Sequence, residues 1–415
     1  TLPEGASIAA YALRGITLDT LTLPDTLTTL PSYALYGLTA TKVVLGSELS
    51  TLPTYVFKDS NIGTVVLNAE EVVVSGNAFE NSTIQTIENS ENIVSIASNA
   101  FKNCVNLETI SLSNKLLTIE TNAFTLSGLT SITIPGSVEC LGTYSATSTT
   151  SGSVFNDCVN LTSITLNEGL QVICDSAFVG TSITSITIPS TVTTMGTKVL
   201  QDVSTLKSAV ILNSVLNTYM FDGCTALESV EMSESITKIP NYTFTDCSSL
   251  VTIELPNGIT EIGTHAFENC TSLTQIKLPD ELVTIQTSAF QNSGLTSIQI
   301  PSKVKNIFGS AFLGCTNLVS VELNEGLETL GTVSTTNPTG SVFKDCVNLE
   351  TITLPKSLQS IGSYTFQNCN KIQSIVIYED CIAVGTGAFS GWTADQKVYV
   401  LSLIHISEPT RLDVI

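Results

Sequence analysis

Histidine is nearly absent from this chain, which carries two in 415 residues. His265 lies in the regular part of the sequence and His405 in its final fifteen residues. Around a lone imidazole no Ser/His/Asp or Cys/His nucleophile set can be assembled, and no glycine-rich phosphate loop appears. Positive charge is scarce as well: 16 Lys and Arg stand against 37 Asp and Glu, a net charge of -21. A surface this acidic disfavours a nucleic-acid backbone or an anionic membrane as partner. It keeps a long exposed surface soluble, or it selects a basic partner. No apolar run approaches the ~18 residues of a membrane-spanning helix. The eleven cysteines include no C-x-x-C pair with zinc-site spacing. No catalytic residue, metal ligand or cofactor is therefore expected.

What the sequence does have is a period. Fourteen of its fifteen Phe residues share one register: Phe57, Phe79, Phe101, Phe124, Phe155, Phe178, Phe221, Phe244, Phe267, Phe290, Phe312, Phe343, Phe366 and Phe389. Leu13, Leu35 and Leu200 occupy the same register, giving seventeen anchors; fourteen of the sixteen intervals are 21 to 23 residues and two are 31. A fixed period in this range is the signature of a solenoid, because one coil cannot bury its apolar face alone and stacking supplies the core. Within a unit such as His265–Leu278 (HAFENCTSLTQIKL), the spacing of Leu273, Ile276 and Leu278 puts them on one side of a short strand entered by a turn. Pro follows that strand in several copies, among them Pro256, Pro279 and Pro301, and ends the pairing because it has no N–H to donate. A second apolar pair, as in Leu282 and Ile285, precedes the next anchor.

The recurring pattern L-x-x-I-x-[IL]-P-x-x-[VL]-x-x-I-[GQ]-x-x-[AT]-F-x-[ND]-C resembles the BspA-like leucine-rich repeats of microbial cell-surface proteins, from about Leu13 to Val400. The resemblance implies a right-handed repeat solenoid with a parallel β-sheet on its concave face, mostly strand and loop. It also implies extracellular or cell-surface display and adhesion to proteins or glycans of host or neighbouring cells.

Cys104, Cys158, Cys224, Cys247, Cys270, Cys315, Cys346 and Cys369 each lie three residues after an anchor Phe, where other coils carry Ser60, Ser82, Ser127, Thr181 or Ser293. A site that takes Cys, Ser or Thr wants a small side chain in a tight turn, so a column of buried thiols is expected rather than disulfides or a metal. Cys140, Cys174 and Cys381 read as singletons. Asn or Asp directly before the column (Asn103, Asp157, Asp246, Asn269, Asp345, Asn368), replaced by Gly223 and Gly314, points to a left-handed turn, with calcium as the weaker reading. Asn81, Asn160, Asn241 and Asn269 open N-x-[ST] sequons, which would matter as glycosylation acceptors in a eukaryotic source; three of the four fall within repeat turns, so chance from turn chemistry is the default reading.

Binding is expected on the outward strand positions and on two long coils. The outward positions carry pairs such as Ser131 and Thr133, Ser163 and Thr165, or Thr351 and Thr353, a regular array of hydroxyls that suits a polar, repetitive ligand or none. One outward column reads Glu231, Glu254, Lys277, Gln299, Glu322; neighbouring carboxylates about 4.8 Å apart raise a glycosidase geometry, but Lys277 next in line favours a charge ladder. Thr143–Ser153 (TYSATSTTSGS) and Thr332–Ser341 (TVSTTNPTGS) lengthen the two 31-residue coils. Thr143, Tyr144, Ser145, Thr147, Thr149, Thr332, Thr335 and Asn337 are the candidate contacts there. Near-copies SVFNDCVNLTSITL and SVFKDCVNLETITL follow the two segments, so a duplicated block carrying a harmless loop is the competing explanation.

The start at Thr1, without Met and inside a repeat, and the stop in repeat grammar after Val400 suggest a solenoid over residues 1–400, of about seventeen coils, truncated at both ends. Leu401–Arg411 (LSLIHISEPTR) resembles a translated sequencing-library adapter, so residues 401–415 are expected to be an assembly artefact. The leading functional expectation is an adhesin-type binding protein. A passive stalk, or the binding region of a larger enzyme, is the alternative.

Overall fold

The computed structural model describes residues 1–145, 148–331, 340–401 and 410–411. Each period folds into one turn of a parallel β-solenoid, about 16 turns with almost no helix. Ser90–Asn92 forms the one 3-10 turn among the described residues, and no helix there is long and apolar enough to cross a membrane. The chain divides into two units, Thr1–Val215 and Leu216–Ile415.

In most coils two strands pair with their counterparts in a neighbouring coil, although residues 108–112, 251–256 and 273–278 form no strand at the outward position. In the first unit Thr17–Thr22, Thr39–Val44, Asn61–Val66 and Thr86–Glu88 pair in that order, with Leu18 beside Ala40 and Ala40 beside Ile62. The second apolar pair builds its own ladder through Thr51–Leu52, Val72–Val74, Ile93–Ile96, Thr118–Ile119, Cys140–Leu141, Val172–Ile173 and Thr194–Met195. In the second unit the equivalent ladder runs unbroken from Lys238–Ile239 to Ala383–Val384, again with seven strands. Most of these strands are two residues long because a turn bounds each side. In the coil of Ile285, Leu282 N–H closes a turn on Pro279 before the strand, and left-handed Ser288 (φ 54°) follows it.

The anchors form the core. Phe57 to Phe178 stack in the first unit with ring centroids 4.8–5.8 Å apart, and Phe221 to Phe389 stack in the second at 5.2–5.8 Å. That spacing follows the strand separation, which fixes the rise per coil. Leu35 and Leu200 are fully buried in the same register.

Left-handed residues flank each anchor two places before and two places after, for example Asn77 and Asn81 around Phe79 and His265 and Asn269 around Phe267. The backbone there is still paired coil to coil: the N–H groups of Asn77, Phe79 and Asn81 donate to Ser98, Ala100 and Lys102 at 3.0, 2.8 and 2.9 Å. Alternate residues of an irregular turn thus satisfy their buried amides as a strand would. At the far end Ser374–Tyr378 pairs in parallel with Lys397–Leu401, whereas Thr410–Arg411 lies antiparallel to Tyr399–Val400.

Candidate binding surfaces

The outward face of the sheet alternates as its sequence suggests. Ser131–Ile134, Ser163–Leu166 and Ser185–Ile188 each expose their first and third residues and bury the second and fourth. Ser131 stands beside Ser163 and Thr133 beside Thr165, so the hydroxyls form rows across the strands. In the second unit the same face carries larger polar groups: Ser297, Ser320 and Thr351 form one row, and Gln299, Glu322 and Thr353 another. These six side chains line an open trough of about 530 Å³. It continues, across Ser297 and Gln299, into a second depression of about 500 Å³ lined by Gln275, Lys277, Asp280 and Asn324.

Glu231, Glu254 and Lys277 are all exposed on the second unit, with Glu231 in the strand Ser229–Met232. Of these three, Lys277 lines the second depression. In the register-matched part of the column a carboxylate, Glu322, sits between an amide, Gln299, and a hydroxyl, Thr353.

The first long segment departs from the parallel pattern. Thr143–Ser145 and Ser148–Ser151 form an antiparallel two-stranded hairpin, with Thr143 opposite Ser151 and Ser145 opposite Ser148. Thr143, Tyr144 and Ser145 therefore share its first strand and Thr149 lies on its second. Thr143 Oγ1 accepts a hydrogen bond from Thr121 at 2.9 Å. Thr147, Thr332, Thr335 and Asn337 lie outside the described residues. Both segments return to the coil at a glycine: a Cβ on Gly152 would overlap the Asp175 carbonyl, and one on Gly340 the Ser363 carbonyl. Each insert thus rejoins the core path without disturbing it, since Ser153 and Ser341 make the regular inter-coil bonds to Asp175 and Ser363.

The thiol column is buried, and its chemistry is more specific than small size. Cys104, Cys158, Cys247, Cys270, Cys315, Cys346 and Cys369 donate to the carbonyls of Phe79, Phe124, Phe221, Phe244, Phe290, Phe312 and Phe343 in the preceding coils, at 2.9–3.2 Å. Trp392 takes this place after Phe389, and its indole N–H donates to Phe366 at 2.9 Å. The position therefore calls for a donor, which explains why Ser and Thr replace Cys. Burial pushes the Cys104 thiol up to about 12, and those of Cys158 and Cys315 to about 11.

The turn residues before the column also bond in rows. Asn81 donates to Asp59 and Asn103 to Asn81, both at 3.0 Å. In the second unit Asn292 donates to Asn269, Asn269 to Asp246, and Asn368 to Asp345, at 2.9, 2.8 and 2.6 Å. A carboxylate can only accept, so Asp sits on the first rung of each row. Two sequon residues, Asn81 and Asn269, are held in these rows; Asn160 is exposed.

Two features escaped the sequence reading. Tyr11, Tyr33 and Tyr55 stack at 4.9 and 4.7 Å on the turns before their anchors, with Tyr36 edge-on and Arg14 and Lys58 each 5.4 Å from a ring centroid. His265 belongs to a second such row, stacked on Tyr242 at 4.8 Å with Nδ1 2.6 Å from Glu268. The signal was Tyr recurring two places before the anchor. Cys140 and Cys174, read as singletons, have their sulfurs 3.9 Å apart.

The BspA type leucine rich repeat region model matches residues 1–88, 41–151, 145–251, 237–339 and 336–408. Among solved structures, a leucine-rich repeat protein from Bacteroides ovatus is 21% identical over 95% of this chain and 87% of its own, with a TM-score of 0.61. A leucine rich cell surface protein from Faecalibacterium prausnitzii is 21% identical over 86% of this chain and 87% of its own, with a TM-score of 0.45. The pneumococcal vaccine antigen PcpA is 18% identical over 92% and 90%, also at 0.45. No curated protein matches. With the repeat model covering the length of both units, the chain belongs to the BspA-type leucine-rich repeat family.

Proposed function

We propose that this chain is the binding region of an extracellular or cell-surface protein of adhesin type. It recognises a protein or glycan of a host or neighbouring cell through an extended polar face. The observation that carries this reading is the trough of the second unit, where Ser297, Gln299, Ser320, Glu322, Thr351 and Thr353 stand in register. Each of these groups donates or accepts hydrogen bonds, and two rows at the strand separation of about 4.8 Å match a partner that is itself polar and repetitive. The strands beneath are fixed by their ladder, so the surface is preorganised. Lys277 and Asp280 at the adjoining end supply charges of both signs. Membership of a family of surface repeats supports display outside the cell. The hairpin bearing Thr143, Tyr144, Ser145 and Thr149 is the second contact region, because a departure from a regular scaffold is where recognition is grafted.

Capture of the whole chain on immobilised mucin, fibronectin and fibrinogen tests the reading, alongside a variant with both long segments cut to regular coil length. Binding to one of these by the wild type, weakened in the shortened form, supports contact through the hairpin. Equal binding by both places contact on the sheet face. Inertness of the wild type towards all three favours the passive stalk.

A further inference from the structure

Two thiols outside the column meet across neighbouring coils of the first unit. Cys140 opens the strand Cys140–Leu141, and Cys174 follows Val172–Ile173, the strand paired with it. Cys140 is half-exposed and Cys174 is buried. Cys140 Sγ lies 3.5 Å from the Gly142 carbonyl, to which it can donate, and 3.9 Å from Cys174 Sγ, and this sulfur–sulfur approach sets the pair apart from the column thiols, which face backbone carbonyls of the preceding coil.

We propose that Cys140 and Cys174 are a redox modification site, a thiol pair that a low-molecular-weight disulfide such as oxidised glutathione converts into a disulfide joining the two coils. Cys140, the half-exposed thiol, loses its proton and attacks one sulfur of the glutathione disulfide. A mixed disulfide forms at Cys140, the glutathione S–S bond breaks, and one glutathione leaves and takes up a proton. Cys174 then gives up its proton and attacks Cys140 Sγ. The protein disulfide forms, the mixed bond breaks, and the second glutathione leaves as its thiol. Two electrons pass from the cysteines to glutathione disulfide, and the two thiol protons end on two glutathione molecules. Exposure assigns the entering role to Cys140 and burial the resolving role to Cys174, whose thiol the hydrogen bond with Cys140 and then burial hold well above its ordinary pKa.

The pairing is built into the coil. Val172 is the register partner of Cys140, so Cys174 stands diagonally across, two places on. Glu261 and Gln286 occupy the same two positions in the second unit, and their side chains meet at 3.0 Å. Bond formation brings the sulfurs from 3.9 Å to about 2.05 Å and draws the corner after Ile173 towards the strand of Cys140. The second long coil provides an internal contrast: its equivalents are Thr329 and Gly362, so the thiol pair is specific to the coil that carries the hairpin. Oxidation has a consequence there. Cys140–Leu141 leads through Gly142 into the hairpin, and Asp175, next to Cys174, accepts the Ser153 N–H at 2.8 Å where the hairpin rejoins the coil. The disulfide ties the entry of the hairpin to the residue that holds its exit. This inference rests on the two sulfurs and is independent of what the surface binds.

The whole chain, wild type and the variants Cys140→Ser and Cys174→Ser, is incubated with oxidised glutathione, alkylated while folded and mapped by mass. In the wild type, peptides joined through Cys140 and Cys174 are expected, lighter by two hydrogen masses and separated by dithiothreitol. Column cysteines become alkylated only after denaturation. Cys174→Ser should accumulate a glutathione adduct on Cys140, because the resolving thiol is gone, and Cys140→Ser should accumulate none on Cys174; half-exposed Cys381 is mapped separately in each protein. Separate alkylation of both residues in oxidised wild type, or equal glutathione loading of the two variants, overturns the proposal.

Discussion

Phe267→Ala removes a ring that is fully buried between two others, with centroids 5.2 Å from Phe244 and 5.3 Å from Phe290 and planes within 14° and 2°. Truncating a buried Phe to Ala costs about 3–5 kcal/mol, and a core that cannot collapse sits at the upper end. Here the strand ladders fix the rise per coil, so the neighbouring rings cannot close the gap; about 5 kcal/mol is expected. Phe267→Leu separates ring contact from simple burial. Leu35 and Leu200 are fully buried anchors in this chain, so the position accepts Leu. What is lost is two ring–ring contacts, about 1–3 kcal/mol together. The assay is urea unfolding of the whole chain, with hydrogen exchange followed peptide by peptide because repeat arrays depart from two-state behaviour. Loss of protection should centre on Phe267 N–H, which donates to Ala289 at 2.7 Å, and spread to the coils on either side. An unchanged urea midpoint for Phe267→Ala, or equal loss for Ala and Leu, would refute the stacked-anchor core.

Further predictions concern the columns beside the anchors and the end of the repeat. Cys104, Cys158 and Cys315 titrate at about 12, 11 and 11 when folded, against an ordinary 9.0. Above pH 9 the unfolded chain has released these protons while the folded chain keeps them, so stability, full below that pH, falls by about 1.4 kcal/mol per pH unit per thiol. That amounts to about 4 kcal/mol for Cys104 by pH 12, and thermal melts from pH 8 upward should fall, less steeply in a Cys104→Ser variant. Asn269→Gly keeps the left-handed turn but removes bonds to Asp246 and from Asn292, and should cost about 1–2 kcal/mol in the same urea assay; Asn269→Ala should cost more, because it adds strain at φ 58°. We also propose that residues 401–415 are absent from the natural product. Proteomics of the source sample decides this, since one peptide spanning Val400 and Leu401 would show the junction to be real.

The repeat was legible because period is a property of spacing alone, and the anchor Phe marks every coil where it occurs. Burial of the Cys column and the left-handed Asn and Asp turns were legible for a related reason: substitution by residues of one physical kind, within one chain, reveals what a site requires. The second ladder was not. Most of its strands, such as Thr284–Ile285, are two residues long, too short to show alternation, and they exist because neighbouring coils hold them in register. Hydrogen-bond partners were hidden for the same reason. Cys270 was expected to be a small apolar filler, and its acceptor, the Phe244 carbonyl, is a backbone atom in another coil. Cys140 and Cys174 looked unrelated because 34 residues separate them, one coil plus the hairpin. On the candidate surface, the exposure of Glu231 followed from alternation in the strand Ser229–Met232, whereas Glu254 and Lys277 are exposed in segments that form no strand, so the expected charge ladder through them is not built on paired strands. The trough that gathers Lys277 with Gln299 and Asn324 required knowing which coils lie side by side.

The central claim is recognition through the polar face, and the most direct test is an equilibrium binding isotherm on immobilised mucin. It compares the wild type with a Gln299→Ala/Glu322→Ala variant and with a control altered at exposed Lys303, outside both troughs. Both substitutions truncate exposed side chains and leave the ladder intact, so the melting temperatures should agree. The account predicts that the face variant loses affinity at least about tenfold, which corresponds to about 1.4 kcal/mol, while the control binds as the wild type does. Saturable binding with the same affinity in all three proteins would contradict it.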